Sequence, residues 1–265
     1  MSIYLDITKL SEITIDNHLK EVSMSSMDKI NVNGLTCLEA GTGAGNMTRW
    51  LAKKGAKVVY SISNNQEHLD YARRRLPKKY IKNVKFIKAD LRKLDFLEEE
   101  TIDLITAHML INVVTPVDLF FIFKELTRVA KNKALMVVND YNPLCSYQTE
   151  RSHLVEELFR IENAVSYLAN DEPALIWYPS EYIIELLELL GWEIETMELM
   201  YDKTPWGKEL LKEHLEVIEN ECKKLRNENL RKNLLHQAKE ILNQVDEDET
   251  VYAGTIYSII ARRAK

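Results

Sequence analysis

The segment that indicates the fold most directly is Cys37-Leu-Glu-Ala-Gly-Thr-Gly-Ala-Gly-Asn-Met-Thr-Arg-Trp-Leu51. It opens with a short apolar run typical of a buried strand and closes with the spacing of an amphipathic helix. The glycines between these parts allow a tight turn and let a ligand approach the backbone closely. The first N–H groups of the helix have no partner within the helix and are available to such a ligand. The segment therefore predicts a strand, a cofactor-binding loop and a helix.

Around this segment, short apolar runs alternate with stretches of helical periodicity. The predicted strands span residues 35–39, 57–62, 84–88, 102–107 and 134–139, and the predicted helices span residues 47–54, 66–76 and 116–129. Such alternation is typical of βαβ units around a parallel sheet. Because crossovers between parallel strands are almost always right-handed, few arrangements satisfy the pattern. The sequence predicts an α/β fold with a doubly wound, mostly parallel sheet.

Helical periodicity also appears outside this alternation, in segments that we interpret as a leader and two insertions. The leader, residues 1–34, contains a predicted helix at about 15–27, and the insertions span about 146–170 and 205–245. The second insertion has two apolar stripes separated by a polar stretch, which predicts a helical hairpin. The remaining predictions are a helix with Ser180 as its N-cap, strands over 192–200 and 251–261, and a single domain over 35–265.

The composition is that of a folded protein in a reducing compartment. The chain has 265 residues, of which 46% are hydrophobic and 29% charged, and it needs no cross-links to form a core. Its three cysteines, Cys37, Cys145 and Cys222, are far apart and show no metal-binding spacing. No apolar run approaches the roughly 20 residues that span a bilayer, so we expect a soluble, cytoplasmic protein. The net charge of −6 disfavours a nucleic-acid partner.

An acid and three glycines in the loop carry a resemblance to a known family. A carboxylate before the loop repels a pyrophosphate but attracts an ammonium group, and the glycine spacing differs from that of dinucleotide-binding proteins. The chain resembles the class I S-adenosylmethionine-dependent methyltransferases, whose signature E/D-x-G-x-G-x-G it matches at Glu39, Gly41, Gly43 and Gly45. The resemblance covers about residues 35–142, 177–200 and 251–263. It implies a seven-stranded sheet with an antiparallel last strand, and a loop, including Thr42, that holds the methionyl part of S-adenosylmethionine.

The same resemblance assigns the rest of the cofactor to particular residues. Asp90 and the backbone of Leu91 would contact adenine. The family usually carries an acid at the end of the second strand for the ribose hydroxyls, and the matching position here is Ser61. Either Ser61, Ser63 or Asn64 binds the ribose with lower affinity, or the ribose is held from elsewhere, or the cofactor is unusual. We favour the first explanation, and the missing acid also disfavours NAD.

His108 follows the predicted fourth strand, in a stretch that resembles the family's segment beside the sulfonium and the acceptor. His108 is the candidate general base, because histidine titrates near neutral pH; the alternative is a packing or cofactor-lining role. Aromatic candidates for the acceptor pocket are Tyr141, Trp177 and Tyr178. We expect no metal, because no carboxylate after the fourth strand would join Asp140 and Asn142 as a ligand.

These residues predict a methyltransferase that acts on a small molecule by in-line transfer. Orientation of the two reactants supplies roughly 7–11 kcal/mol of such a barrier, so no nucleophilic residue is needed. The alternatives are an RNA or protein methyltransferase and a non-catalytic S-adenosylmethionine-binding protein. The hairpin at 205–245 is either a lid over the acceptor site or a surface for homodimerisation or core packing. The pattern predicts neither the identity of the acceptor nor the atom that is methylated.

Overall fold

The computed structural model describes residues 27–143, 151–201 and 205–264. Two compact units divide these residues. The sheet unit contains the described residues up to Asn142, residues 178–199 and the segment from Ile256 onward, and the helical unit contains the rest. Apart from Met27, the predicted leader helix lies outside the described residues, as does Cys145. No helix in this described part is long and apolar enough to cross a membrane.

One seven-stranded sheet forms the centre of the sheet unit. Its strands are β1 (Thr36–Ala40), β2 (Val58–Ser63), β3 (Val84–Lys88), β4 (Ile102–His108), β5 (Ala130–Tyr141), β6 (Trp192–Tyr201) and β9 (Thr255–Arg263). The spatial order is β3-β2-β1-β4-β5-β9-β6, in which the first five strands are parallel and β9 runs antiparallel to β5. The sheet confirms the predicted doubly wound, mostly parallel fold with an antiparallel last strand.

Among its described residues, this unit contains the helices α1 (Asn46–Lys53), α2 (Gln66–Arg75), α3 (Pro116–Val129) and α5 (Ser180–Leu189). The side chain of Asn65 caps α2 by accepting the N–H of Glu67 at 2.9 Å. The prediction that Ser180 caps α5 is wrong. Ser180 is the first helical residue, and its hydroxyl bonds the carboxylate of Glu181 at 3.2 Å instead of a backbone N–H.

Two strand boundaries differ from the sequence pattern. β5 begins four residues before the predicted start. Its first part carries exposed polar side chains and a left-handed residue, Lys133 at φ 64°, so the apolar pattern does not reveal it. The predicted strand over 251–261 is two strands, β8 (Thr250–Tyr252) and β9, separated at Gly254 with φ 89°. In both places a local change of backbone direction interrupts the period-two pattern from which a strand is predicted.

The central strands β1 and β4 are buried along almost their whole length. Both faces of a parallel sheet are covered by helices, so such strands are continuous apolar runs rather than alternating ones. The chain turns from one side of β1 to the other at this point, since β2 and β3 lie on one side and β4 and β5 on the other. In open α/β sheets, ligands bind outside the carboxyl ends of the strands at such a reversal. The candidate site is therefore expected there.

The described part of the helical unit contains α4 (Ser152–Asn170), α6 (Lys208–Cys222), α7 (Glu228–Asn243) and an antiparallel ribbon of β7 (Pro205–Gly207) with β8. Its core is aromatic: the ring of Phe159 lies 5.0 Å from that of Trp206 and 4.8 Å from that of His214, measured between centroids. A buried ion-pair contact joins His214 Nδ1 to Glu162 Oε2 at 2.8 Å. The helices α6 and α7 occupy the range of the predicted hairpin. Its role as a lid or an interface stays a prediction.

Candidate cofactor and acceptor site

The glycine loop joins β1 to α1 at the carboxyl edge of the sheet. Its first two amides, those of Gly41 and Thr42, donate hydrogen bonds to the carbonyl of Ile62 in β2 at 3.0 and 2.9 Å. The amide of Gly45 then closes a turn on the carbonyl of Thr42 at 2.8 Å. Backbone hydrogen bonds thus fix the loop to the sheet before α1 begins.

Left-handed backbone angles explain the glycines of the loop. The φ angles of Gly41, Gly43 and Gly45 are 85°, 50° and 79°, a region that side chains disfavour. A Cβ atom on Gly45 would lie 2.5 Å from the Cβ of Ala72 in α2, so the loop packs directly on that helix. A Cβ atom on Gly43 would meet no atom within 4 Å. Gly45 is therefore required for packing, whereas Gly43 faces space that a ligand can enter.

Glu39, at the carboxyl end of β1, is only 2% exposed and lies in a cluster of hydroxyl groups. Its Oε1 accepts the backbone N–H of Thr48 at 3.1 Å, and its Oε2 accepts the Ser61 hydroxyl at 2.7 Å and the Thr48 hydroxyl. The Ser61 hydroxyl also contacts those of Thr42 at 2.9 Å and Thr48 at 2.8 Å. Three predicted cofactor residues, Glu39, Thr42 and Ser61, are thus joined by direct hydrogen bonds. Sequence reasoning missed Thr48, the fourth member.

Burial raises the pKa of Glu39 to about 7, while the hydrogen bonds from Thr48 and Ser61 act in the opposite direction. The bond to the Thr48 amide has a second role. α1 begins after Gly45, which has no side chain to cap the helix, and Glu39 accepts one of the first amides in its place. The acid therefore links β1, β2 and the first turn of α1.

The structure separates the candidates for the ribose position. Ser61 is fully buried and lies directly opposite Glu39 in the register of β1 and β2, with its hydroxyl bonded inside the cluster. Ser63 is the last residue of β2, and its hydroxyl accepts the N–H of Asn65 at 3.1 Å. Side chains two residues apart share a face of the strand, so Ser63 occupies the same face as Ser61 but at the strand end. The assignment of Ser61 to the ribose stays a prediction.

Asp90, at the carboxyl end of β3, pairs with an arginine that sequence reasoning missed. Arg92 contacts Asp90 Oδ2 at 2.5 Å and Asp118 Oδ1 at 2.7 Å, and all three side chains are a third to a half exposed. Hydrogen bonds from Arg92 lower the pKa of Asp90. Leu91, between them in sequence, is 9% exposed. Asp90, the acid predicted to contact adenine, therefore already forms an ion pair with Arg92. Asp118, from α3, is the second acid bound by Arg92.

His108 is the last residue of β4 and lies opposite Asn139 of β5 in the register. This position puts it at the same edge of the sheet as the glycine loop. Of the aromatic candidates, Tyr178 is in the sheet unit, where its hydroxyl donates to the carbonyl of Val114 at 2.7 Å, and its ring stacks on Tyr182. Trp177 is in the helical unit, with its ring 5.9 Å from that of Phe159.

A second buried acid, Asp140, lies one residue beyond Asn139. Its Oδ2 accepts the N–H groups of Ile111 and Asn112 at 2.9 and 3.3 Å, and its Oδ1 accepts that of Tyr141 at 2.8 Å. Burial raises its pKa to about 7; burial also raises the pKa of Tyr257 on β9, and the charge of Asp140 adds to that rise. The sequence offered Asp140 only as a metal ligand. Among residues 27–143, 151–201 and 205–264, no three acids, histidines or cysteines group as a metal site.

Comparisons with known proteins agree with this geometry. The sequence profile of a family described as "Methyltransferase domain" matches residues 37–133, which include the loop, β1 to β4 and His108. No curated protein matches the sequence. Many solved chains match the fold, and three of them have sequence identities of 14–18%.

The first is an S-adenosylmethionine-dependent methyltransferase from Mesorhizobium loti, with 16% identity, a TM-score of 0.53, and coverage of 88% of this chain and 93% of the other. A phosphoethanolamine N-methyltransferase of Haemonchus contortus, solved with phosphomonomethylethanolamine and S-adenosylhomocysteine, has 18% identity, a TM-score of 0.53, and coverage of 88% and 50%. The (4+2)-cyclase SpnF has 14% identity, a TM-score of 0.56, and coverage of 88% and 76%. Residues 37–133 therefore match the profile of a methyltransferase domain, and the chain shares its fold with a solved S-adenosylmethionine-dependent methyltransferase.

Proposed function

We propose that the chain binds S-adenosylmethionine at the carboxyl ends of β1, β2 and β3 and transfers the methyl group to a small molecule. The observation that carries the proposal is the glycine loop, which is fixed to β2 and leaves Gly43 facing open space beside the buried acid Glu39. A carboxylate in a poorly solvated position attracts an ammonium group strongly, which suits the methionyl part of this cofactor.

The three parts of the cofactor would lie along the sheet edge in order. The methionyl part lies at the glycine loop, the ribose at the end of β2, and adenine near Asp90 and Leu91. We assign the ribose to Ser63 rather than Ser61, because the Ser61 hydroxyl is fully buried and already bonded to Glu39. A neutral hydroxyl makes weaker bonds to the ribose than a carboxylate would, by about 1 kcal/mol or more.

When bound, the cofactor supplies an electrophilic methyl carbon on a positively charged sulfur. It would give its methyl group to the acceptor atom, with S-adenosylhomocysteine as the other product. The protein orients the reactants in line and excludes water. We propose His108 as the base that receives the acceptor's proton, since it lies at the end of β4, beside the loop's edge of the sheet.

Two observations support a small acceptor. The net charge of −6 disfavours a nucleic acid, and the neighbour from Haemonchus contortus is an enzyme of a small phosphorylated amine by its description. A second candidate is a reaction other than methyl transfer, which the (4+2)-cyclase with the same fold favours. We also propose that the protein is cytoplasmic, that it forms a homodimer, and that the hairpin at 205–245 serves as a lid.

Calorimetry with S-adenosylmethionine tests the cofactor. The variant Gly43→Asp puts a side chain into the open space at the loop, and Gly34→Asp is its matched control. Gly34 also has a positive φ, and a Cβ atom there would meet no atom within 4 Å, but it precedes β1 at the opposite end of the strand. We expect wild type and Gly34→Asp to bind and Gly43→Asp to lose binding. Equal binding by both variants would contradict the loop assignment.

Methyl transfer is tested separately, with a labelled methyl group and a panel of small amines, alcohols, acids and thiols together with RNA and protein samples. We expect at least one acceptor to become labelled, and His108→Gln to lower the rate at saturating cofactor without changing cofactor affinity. Binding without transfer to any small molecule, RNA or protein in the panel would favour the second candidate.

A further inference from the structure

We infer that Ser61 is a positioning residue that acts through Glu39: its hydroxyl is the centre of a cluster that holds the acid and couples cofactor binding to release of a proton. The inference rests on the proposed function, because it concerns the same loop. It assigns Ser61 a partner inside the protein instead of the ribose.

The position of Ser61 at the centre of the cluster follows from its contacts. Its hydroxyl oxygen lies 2.7 Å from Glu39 Oε2, 2.9 Å from the Thr42 hydroxyl and 2.8 Å from the Thr48 hydroxyl. None of the other three residues contacts every remaining member of the cluster. The four residues come from β1, the loop, α1 and β2, and each is at most 2% exposed. Ser61 therefore connects every element that shapes the cofactor loop.

The number of protons in the cluster depends on the state of Glu39. Four oxygen–oxygen contacts join the side chains: Glu39 to Ser61, Glu39 to Thr48, Ser61 to Thr48, and Ser61 to Thr42. The three hydroxyl groups supply one proton each, so an ionised Glu39 leaves one contact without a proton. A protonated Glu39 supplies the fourth. The observed arrangement is therefore complete when Glu39 carries a proton.

Burial favours the same protonated state. The pKa of Glu39 is raised to about 7 by burial, and the hydrogen bonds from Thr48 and Ser61 limit the rise. The ionisable residues on the adjoining elements are Arg49 and Lys53 on α1, Tyr60 on β2, and Asp103 and His108 on β4. None of them contributes to this pKa. The protonation of Glu39 is thus governed by the hydroxyl cluster and by any charge that enters the loop.

The ammonium group of a bound cofactor is such a charge. A positive charge close to a carboxyl group favours its ionised form, so binding expels the Glu39 proton to solvent. The carboxylate keeps the hydrogen bonds from Ser61, Thr48 and the Thr48 amide, which stabilise it while the ammonium group is present. Without the Ser61 hydroxyl, ionisation becomes less favourable, and the proton is held to higher pH.

Calorimetry in buffers of different ionisation enthalpy counts the protons released when S-adenosylmethionine binds. Wild type is expected to release close to one proton at about pH 6 and almost none well above the pKa of about 7. Ser61→Ala should move the midpoint of this release to higher pH, and Ser61→Cys, which keeps a weak hydrogen-bond donor at the position, should do the same to a smaller extent. Ser63→Ala is the matched control, expected to weaken binding without moving the midpoint. Glu39→Gln should release none of this proton.

A double-mutant cycle separates the two roles of Ser61. If Ser61 acts through Glu39, Ser61→Ala weakens binding far less in the Glu39→Gln background than in wild type. Equal loss in both backgrounds, with an unchanged midpoint, would overturn the inference and return Ser61 to the ribose. Binding by wild type without proton release at pH 6 would overturn it as well.

Absence of any cofactor binding would defeat the proposed function but still leave the cluster open to measurement. Infrared difference spectra of wild type minus Glu39→Gln, recorded without cofactor, report a protonated carboxyl group directly. A carboxyl band that persists to higher pH in Ser61→Ala than in wild type supports the cluster. Absence of that band in wild type at pH 6 contradicts it.

Discussion

The acids at the carboxyl ends of β1 and β3 were expected to serve one ligand, yet their surroundings are opposite. Glu39 is buried, accepts bonds from hydroxyl groups and an amide, and has a raised pKa. Asp90 is half exposed, pairs with Arg92, and has a lowered pKa. Residue type does not set the ionisation of an acid in a cofactor site; burial and the charge of the partner do. The structure at the end of β1 is therefore stabilised by close packing, whereas the end of β3 carries ion pairs that solvent screens.

The largest effect should come from the packing at the β1 end. Gly45→Ala places a Cβ atom at φ 79° and 2.5 Å from Ala72, which combines backbone strain of about 1–2 kcal/mol with overpacking of about 1–3 kcal/mol. Gly43→Ala, at φ 50° with no atom within 4 Å, has only the strain. We expect urea unfolding to show a loss in Gly45→Ala about twice that in Gly43→Ala. Equal losses would mean that the contact with α2 is not rigid.

The change in the free energy of unfolding with pH should be the effect of intermediate size. Below its unfolded pKa of 4.5, Glu39 is protonated in both states, and its contribution to stability is fully present. Between 4.5 and about 7 the folded state binds more protons than the unfolded state, so the free energy of unfolding falls as pH rises, by a total on the order of 3 kcal/mol.

Glu39→Gln should reduce the fall in the free energy of unfolding between pH 4.5 and about 7, because it removes the contribution of Glu39. Asp140, with its pKa also raised to about 7, contributes in the same direction, so Asp140→Asn is the comparison variant. Urea unfolding at a series of pH values provides the measurement. A slope that is unchanged in Glu39→Gln would show that the acid is solvated in the folded protein.

The smallest effect should come from the β3 end. Asp90→Asn removes an exposed ion pair, and exposed pairs contribute little because salt and solvent screen them. We expect a small shift of the urea midpoint at low salt that disappears at high salt. Lys93→Ala, which removes the exposed pair with Asp95, is the matched control and should behave alike. A larger, salt-independent loss in Asp90→Asn would mean that the pair is not screened.

The alternation of the sheet was predictable because the central strands are buried on both faces and the helices between them are amphipathic. The direction of individual side chains was not. Counting from the glycines reached Ser61, but which serine lies at the strand end depends on where β2 ends, and it ends at Ser63. The second acid bound by Arg92, Asp118, comes from α3 in a distant part of the chain.

The two buried acids show the same difference between what the sequence predicts and what only the folded chain reveals. Glu39 was predictable as a cofactor acid from its place before the loop, but its hydroxyl partners come from α1 and β2 and appear only in the folded chain. The burial of Asp140 had no signal in the sequence, since the amides it accepts belong to the turn after β4. The aromatic residues Trp177 and Tyr178 are neighbours in sequence, yet they belong to different units.

Helix α2 touches both ends of the proposed cofactor site. The backbone N–H of its N-cap, Asn65, donates to Ser63 at the strand end, while Ala72 packs on Gly45 and Arg75 donates to the carbonyl of Ala44 at 2.9 Å. The helix is about 15 Å long at a rise of 1.5 Å per residue, and its two ends contact the end of β2 and the glycine loop. A change that displaces α2 is therefore expected to disturb both parts of the proposed cofactor site together.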